Sequence, residues 1–130
     1  MYTDPKLAYL TTRATTSIHD ASPHKLITVL LDACHENLAI SKGAIDRNDV
    51  KLKVTTIKKA IDIIVNLQAC LDFEQGGEIA DRLDVLYTYC TNRLAVANAA
   101  SDSEMIGEVM GVIAEIKAGW LEINPDNSVL

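Results

Sequence analysis

The sequence predicts an all-α protein: an antiparallel four-helix up-and-down bundle preceded by a conditionally ordered N-terminal arm. Three observations carry this expectation. Apolar residues recur at three- and four-residue steps through four successive stretches, the period of a helix that buries one face. Apolar residues make up 48% of the chain but aromatics only 5%, so the core must be built from Leu, Ile, Val and Ala, side chains that suit packed helices. The breaks between the stretches are short and polar, and they carry the residues that start helices.

Residues 1–21 are rich in Thr and Ala, with scattered Tyr2, Leu7, Tyr9, Leu10 and Ile18. The pattern is too weak for a helix and too apolar for a solvated tail, and it reads as an arm that packs conditionally. Ser22 before Pro23 is a helix start: the hydroxyl can accept from a free backbone N–H, and proline at the first helical position forfeits no hydrogen bond. Leu26, Ile27, Leu30, Leu31, Cys34, Leu38 and Ile45 then define a first helix over about 23–45. Asp46, Arg47, Asn48 and Asp49 break it, and a second helix runs over about 50–71. Gly76 and Gly77 relax the backbone at the next break, where Glu78 favours the start of a third helix reaching about residue 98. Ser101 and Glu104 stand at capping-box spacing before a fourth helix that ends near residue 123, leaving 124–130 as a frayed tail. Helices of about 20 residues, each about 30 Å long, joined by such short connections can close only as antiparallel neighbours. The bundle is expected to span 22–123 as one domain.

A formal charge of −6 and a pI near 4.9 argue against a nucleic-acid partner, which needs clustered Lys and Arg. Lys51, Lys53, Lys58 and Lys59 read as a solvated helix face. The odd number of cysteines, Cys34, Cys70 and Cys90, each inside an apolar helical pattern, fits buried free thiols in a reducing compartment. No stretch has the length of a signal-peptide core or of a membrane span, and a cytoplasmic location is expected.

The most informative feature is surplus apolar width. A bundle helix needs somewhat more than about 100° of its circumference against the core. In the second helix Ile57, Ala60, Ile61, Ile64 and Leu71 form one face, which Leu67, Ile63, Cys70 and Val65 widen to roughly 220°. The third helix has a main stripe of Ile79, Leu83, Leu86, Tyr87, Cys90, Leu94 and Ala97, with a separate line of Val85, Tyr89 and Val96. If the surplus on both helices faces outward on one side, it forms a groove lined by Ile63, Leu67, Cys70, Val85, Tyr89 and Val96, with Arg93 beside it, where a partner helix or extended peptide can lie. The same surplus also fits burial against loops, against the arm, or in a homodimer. Tyr2, Tyr9 and Ile18 of the arm are suited to cover such a groove when no partner is present.

The sequence offers no catalytic constellation. His19, His24 and His35 lack repeated metal-ligand spacing, Cys34 and His35 point to different sides of a helix, and Asp72, Glu74 and Glu78 do not make a calcium loop. There is no glycine-rich phosphate loop, no HExxH and no GxSxG, so neither enzyme activity, a cofactor nor a metal is expected. A histidine phosphotransfer bundle would carry Lys and Gly three and four residues after an exposed His. Here those positions are Leu38 and Ala39 after His35, and Ile27 and Thr28 after His24.

Several segments stand in a distinctive order from Tyr2 to about Ile123. They are Met1-Tyr2 with Tyr9; Ala21-Ser22-Pro23-His24-Lys25-Leu26-Ile27; Lys59-Ala60 with Ile63-Ile64; and Leu71-Asp72 followed by Gly76-Gly77-Glu78-Ile79-Ala80. The most specific is Leu86-Tyr87-Thr88-Tyr89, continuing to Arg93-Leu94 and Ala97-Asn98, with Trp120 near the end of the last helix. In that shared order the chain resembles the FliS family of flagellar export chaperones, and it departs from the family pattern at Leu31, Asp32, Ala33 and Cys34, where relatives commonly have an aromatic and a glycine. The resemblance implies a cytosolic chaperone for the disordered C-terminal segment of flagellin, which prevents premature polymerisation and aids type III export. It also implies contact of the loaded complex with the export gate protein FlhA. In that setting Ile63, Leu67, Val85, Tyr89 and Val96 would form the apolar wall, and Tyr89 and Arg93 would bond the flagellin backbone.

Overall fold

Each helix begins on a side chain that accepts a hydrogen bond from a free N–H of its first turn. Ser22 accepts from the Lys25 amide ahead of α1 (Pro23–Asp46), and Asp49 accepts from Leu52 ahead of α2 (Val50–Ala69). Asp72 accepts from both Glu74 and Gln75 ahead of α3 (Phe73–Ala100), and Asp102 accepts from Met105 ahead of α4 (Ser103–Glu122). The computed structural model describes residues 22–123, so Tyr2, Tyr9 and Ile18 of the arm lie outside the described residues.

The connections are residues 47–49, 70–72 and 101–102, too short for anything but reversal of direction. The helices pack around a ring in chain order: α1 touches α2 and α4, and α3 touches α2 and α4. This is the expected antiparallel four-helix bundle. Leu31, Cys34 and Leu38 of α1 meet Ile57, Ile64 and Leu67 of α2, Cys90 and Leu94 of α3, and Ile106, Val109 and Ile113 of α4 in one continuous core. Each fully buried Leu or Ile contributes roughly 1.5–3 kcal/mol through removal of its surface from water.

Four expectations change. The third helix starts five residues before Glu78, at Phe73, because Asp72 caps a first turn. Gly77, at φ 51° and ψ −125°, then breaks the line before the helix resumes. That backbone geometry is open to glycine and strained for other residues. Ser101 does not cap α4; with φ 51° and ψ 47° it terminates α3, and Asp102 caps α4 instead. A connection of two residues must close one helix with the first and open the next with the second.

Lys53 is not part of a solvated face. It is buried, and its ammonium donates to the Asn98 carbonyl at 2.9 Å and to Ser101 Oγ at 2.8 Å. Antiparallel packing sets the first turn of α2 beside the last turn of α3, where unpaired carbonyls and the negative dipole end favour a cation. Cys34 and Cys90 are buried free thiols as expected, whereas Cys70 is exposed. It is the C-cap of α2, one position past the last helical residue.

Candidate functional site

The α2–α3 seam, where the sequence pointed to a groove, is closed. Ile63 and Leu67 are 2% and 1% exposed and belong to the core, so neither lines an open wall. The physical reason is the position of α2 in the ring. It packs against α1 on one side and α3 on the other, which covers Ile63 and Leu67, while Val65 at one margin of the arc stays 50% exposed. Gln68 fastens the seam by donating from Nε2 to Asp84 Oδ1 at 2.7 Å and to Thr88 Oγ1 at 2.9 Å. Cys70 is exposed at the C-cap of α2.

The surplus on α3 behaves differently. Val85 is 69%, Tyr89 43% and Val96 52% exposed, so these three do face outward as expected. None of the three lines the apolar cleft of about 400 Å³ that opens between α3 and α4. Ile79, Leu83 and Leu86 form its α3 wall; Val112, Ile116 and Trp120 form the α4 wall; and Ile123 closes one end. The space at Gly119 on the α4 wall is open: a Cβ there would meet no atom within 4 Å. Arg82 and Glu115 stand among the lining residues as its charged members. A shallower depression lined by Asp81, Arg82, Val85 and Leu86 continues the cleft onto the outer surface of α3.

Along α3 from the cleft, a polar cluster bridges the same two helices. Tyr89 Oη donates to Glu108 Oε1. Arg93 donates from Nε to Oε1 at 3.1 Å and from Nη2 to Oε2 at 2.9 Å, a two-point grip on the same carboxylate. The guanidinium carbon also lies 5.9 Å from the centre of the Tyr89 ring. These contacts lower the Glu108 pKa, chiefly through the Tyr89 hydrogen bond and then through Arg93, and the bond to Glu108 raises that of Tyr89. Both donors expected to be free for a partner are therefore engaged within the chain.

Sequence reasoning assigned Ile79, Leu83 and Leu86 to the core stripe and gave no place in a partner site to Val112, Ile116, Trp120, Ile123 or Glu108. A signal was available in α4, where Ile106, Val109, Ile113 and Ile116 supply the buried stripe and Val112 widens it on one side, with Met110 on the other. Among the described residues no group of three or more His, Cys, Asp or Glu could hold a metal ion. No helix among them is long and apolar enough to cross a membrane.

The family model for the flagellar protein FliS matches residues 6–127, nearly the whole chain. The chain belongs to the FliS family. Among its FliS relatives, the flagellar secretion chaperone FliSB of Pseudomonas aeruginosa is 43% identical over 103 residues, covering 79% of this chain and 82% of the relative. The flagellar secretion chaperone FliS of Salmonella typhimurium is 39% identical over 130 residues, covering 98% and 96%. That of Vibrio cholerae is 36% identical over 119 residues, covering 92% and 88%. FliS membership points to a chaperone and away from an enzyme, and the relatives lend no support to a phosphotransfer protein or a purely structural bundle. The Leu86-Tyr87-Thr88-Tyr89 segment that resembles FliS most specifically serves several tasks in this fold. Leu86 lines the cleft, Tyr87 is buried in the core, Thr88 accepts from Gln68, and Tyr89 reaches Glu108.

Proposed function

We propose that this FliS-family chain holds the C-terminal segment of flagellin in the cytosol, with the α3–α4 cleft as its principal seat, and so keeps the subunit unpolymerised and fit for type III export. The observation that carries the reading is an open apolar cleft continuous with the exposed Val85 and Leu86, in a chain whose relatives are flagellar secretion chaperones. A cleft of this kind stabilises an incoming apolar segment by removing both surfaces from water, against the cost of ordering a disordered tail. Leu86 and Val112 take the place on the apolar wall that Ile63 and Leu67 vacate by being core residues. Family membership supports the export gate protein FlhA as the receiver of the loaded complex. The arm, through Tyr2, Tyr9 and Ile18, is suited by its apolar residues to compete for the cleft in the free chain.

A pull-down with a flagellin C-terminal peptide tests the seat. Leu86→Asp and Val112→Asp each place a charge on the apolar wall and should weaken capture by about tenfold or more. Circular dichroism and urea unfolding check that both variants remain folded. Folded variants that capture the peptide as well as the unaltered chain would remove the cleft from the reading. Deleting residues 2–16 should raise the association rate if the arm competes, and an unchanged rate would exclude that role.

A further inference from the structure

Tyr89, Arg93 and Glu108 make a carboxylate-binding site that is already filled from within. Two donors on α3 converge on one carboxylate of α4, and the guanidinium contributes two parallel N–H bonds, the geometry by which arginine recognises a carboxylate. The site lies at the surface, with the Arg93 and Glu108 side chains 34% and 40% exposed. Water screens such a pair, so it is held weakly. A carboxylate arriving from a partner whose own surface excluded that water would be held more strongly by the same donors.

We propose that Glu108 is an internal stand-in for an acidic side chain of the bound segment, displaced from Tyr89 and Arg93 when the partner docks along α3. This rests on the reading of the α3–α4 face as the partner seat. The occupant is defined by what flanks the donors. Leu86 lies seven residues before Arg93 and Val96 three after it, about 10 Å and about 5 Å along the helix. Both are exposed apolar side chains. A partner helix lying along α3 should therefore carry a carboxylate about two turns from one apolar anchor and about one turn from another. While Glu108 occupies the donors, only the fraction of molecules with the pair open can accept that carboxylate, and apparent affinity falls by that fraction.

The test measures fluorescence anisotropy of a labelled synthetic peptide of the flagellin C-terminal segment, and of the same peptide with its carboxylates converted to amides, against the full chain. Glu108→Ala should bind the acidic peptide about two- to fivefold more tightly than the unaltered chain, the range expected on releasing an exposed ion pair. Glu108→Gln, which keeps the side-chain length, should shift binding in the same direction. The gain should vanish in the Arg93→Gln background and with the amide peptide. An unaltered chain that binds while folded Glu108→Ala binds no tighter, or less tightly, overturns the exchange alone. Equal binding of the acidic and amide peptides also overturns it. An unaltered chain that binds neither peptide overturns the seat itself, and the exchange with it.

Discussion

The His24 ring stacks on the indole of Trp120, with centroids 4.7 Å apart and planes inclined by 12°, while each residue donates to the other's backbone carbonyl. His24 Nε2 reaches the Trp120 carbonyl at 2.8 Å, and Trp120 Nε1 reaches the His24 carbonyl at 3.0 Å. The pair joins the first turn of α1 to the last turn of α4, and the His24 ring adds a donor to one of the C-terminal carbonyls of α4. It also ties the root of the N-terminal arm to a residue that lines the cleft.

The two residues should unfold as a coupled unit. His24→Ala removes the stack and one hydrogen bond and should cost about 1–2 kcal/mol. Trp120→Phe keeps most of the apolar bulk and loses one hydrogen bond to the His24 carbonyl, which still accepts from Thr28 Oγ1, at about 0.5–1.5 kcal/mol. Urea unfolding of both single variants and the double variant should show a coupling of about 0.5–3 kcal/mol. Additive losses would mean that the contact contributes nothing of its own.

Lys53 should behave as a helix cap. Lys53→Met keeps the buried methylene stem but removes the ammonium that donates to the Asn98 carbonyl and to Ser101 Oγ. A hydrogen-bonded cation of this kind contributes about 1.5–3 kcal/mol. Lys58→Met, on the exposed side of α2, should leave the urea midpoint nearly unchanged. Equal effects from both substitutions would return Lys53 to the status of a surface charge.

The thiols should separate by position. Cys70 should react promptly with an aromatic disulfide reagent in the folded protein, whereas Cys34 and Cys90 should react only as the bundle opens. Burial, assisted by the charge of Glu108, raises the Cys90 pKa from 9.0 to about 11. The sign of the linkage follows: the folded state holds this proton more firmly than the unfolded chain. The stabilisation is therefore complete below 9.0 and is lost as pH rises through about 11. Urea midpoints followed across that interval should fall less steeply in Cys90→Ala than in the unaltered chain. Parallel curves would show that Cys90 does not contribute to the alkaline loss.

The bundle was legible because its signals are local. Ser22-Pro23 announces α1 and the polar run 46–49 separates α1 from α2, and both depend only on neighbouring backbone groups. The candidate site was legible in part. The outward line of Val85, Tyr89 and Val96 follows from helical period alone, and all three are exposed. The outward placement of Ile63 and Leu67 did not hold, because a wide apolar arc looks the same on a helix wedged between two neighbours as on a helix that bares a groove. The partner of Tyr89 and Arg93 was equally hidden, since Glu108 lies on another helix and no spacing within α3 refers to it.

By itself the sequence determined the number and order of the helices, their antiparallel course, the outward line on α3, and the resemblance to FliS. Tertiary structure decided that α3 opens toward α4 and closes against α2, that Lys53 turns inward to cap α3, and that Glu108 already fills the donors of Tyr89 and Arg93. The division has one physical cause. Helical period and capping are set by residues within a few positions of one another, whereas burial and pairing depend on which helix lies alongside, and that relation exists only once the chain has closed.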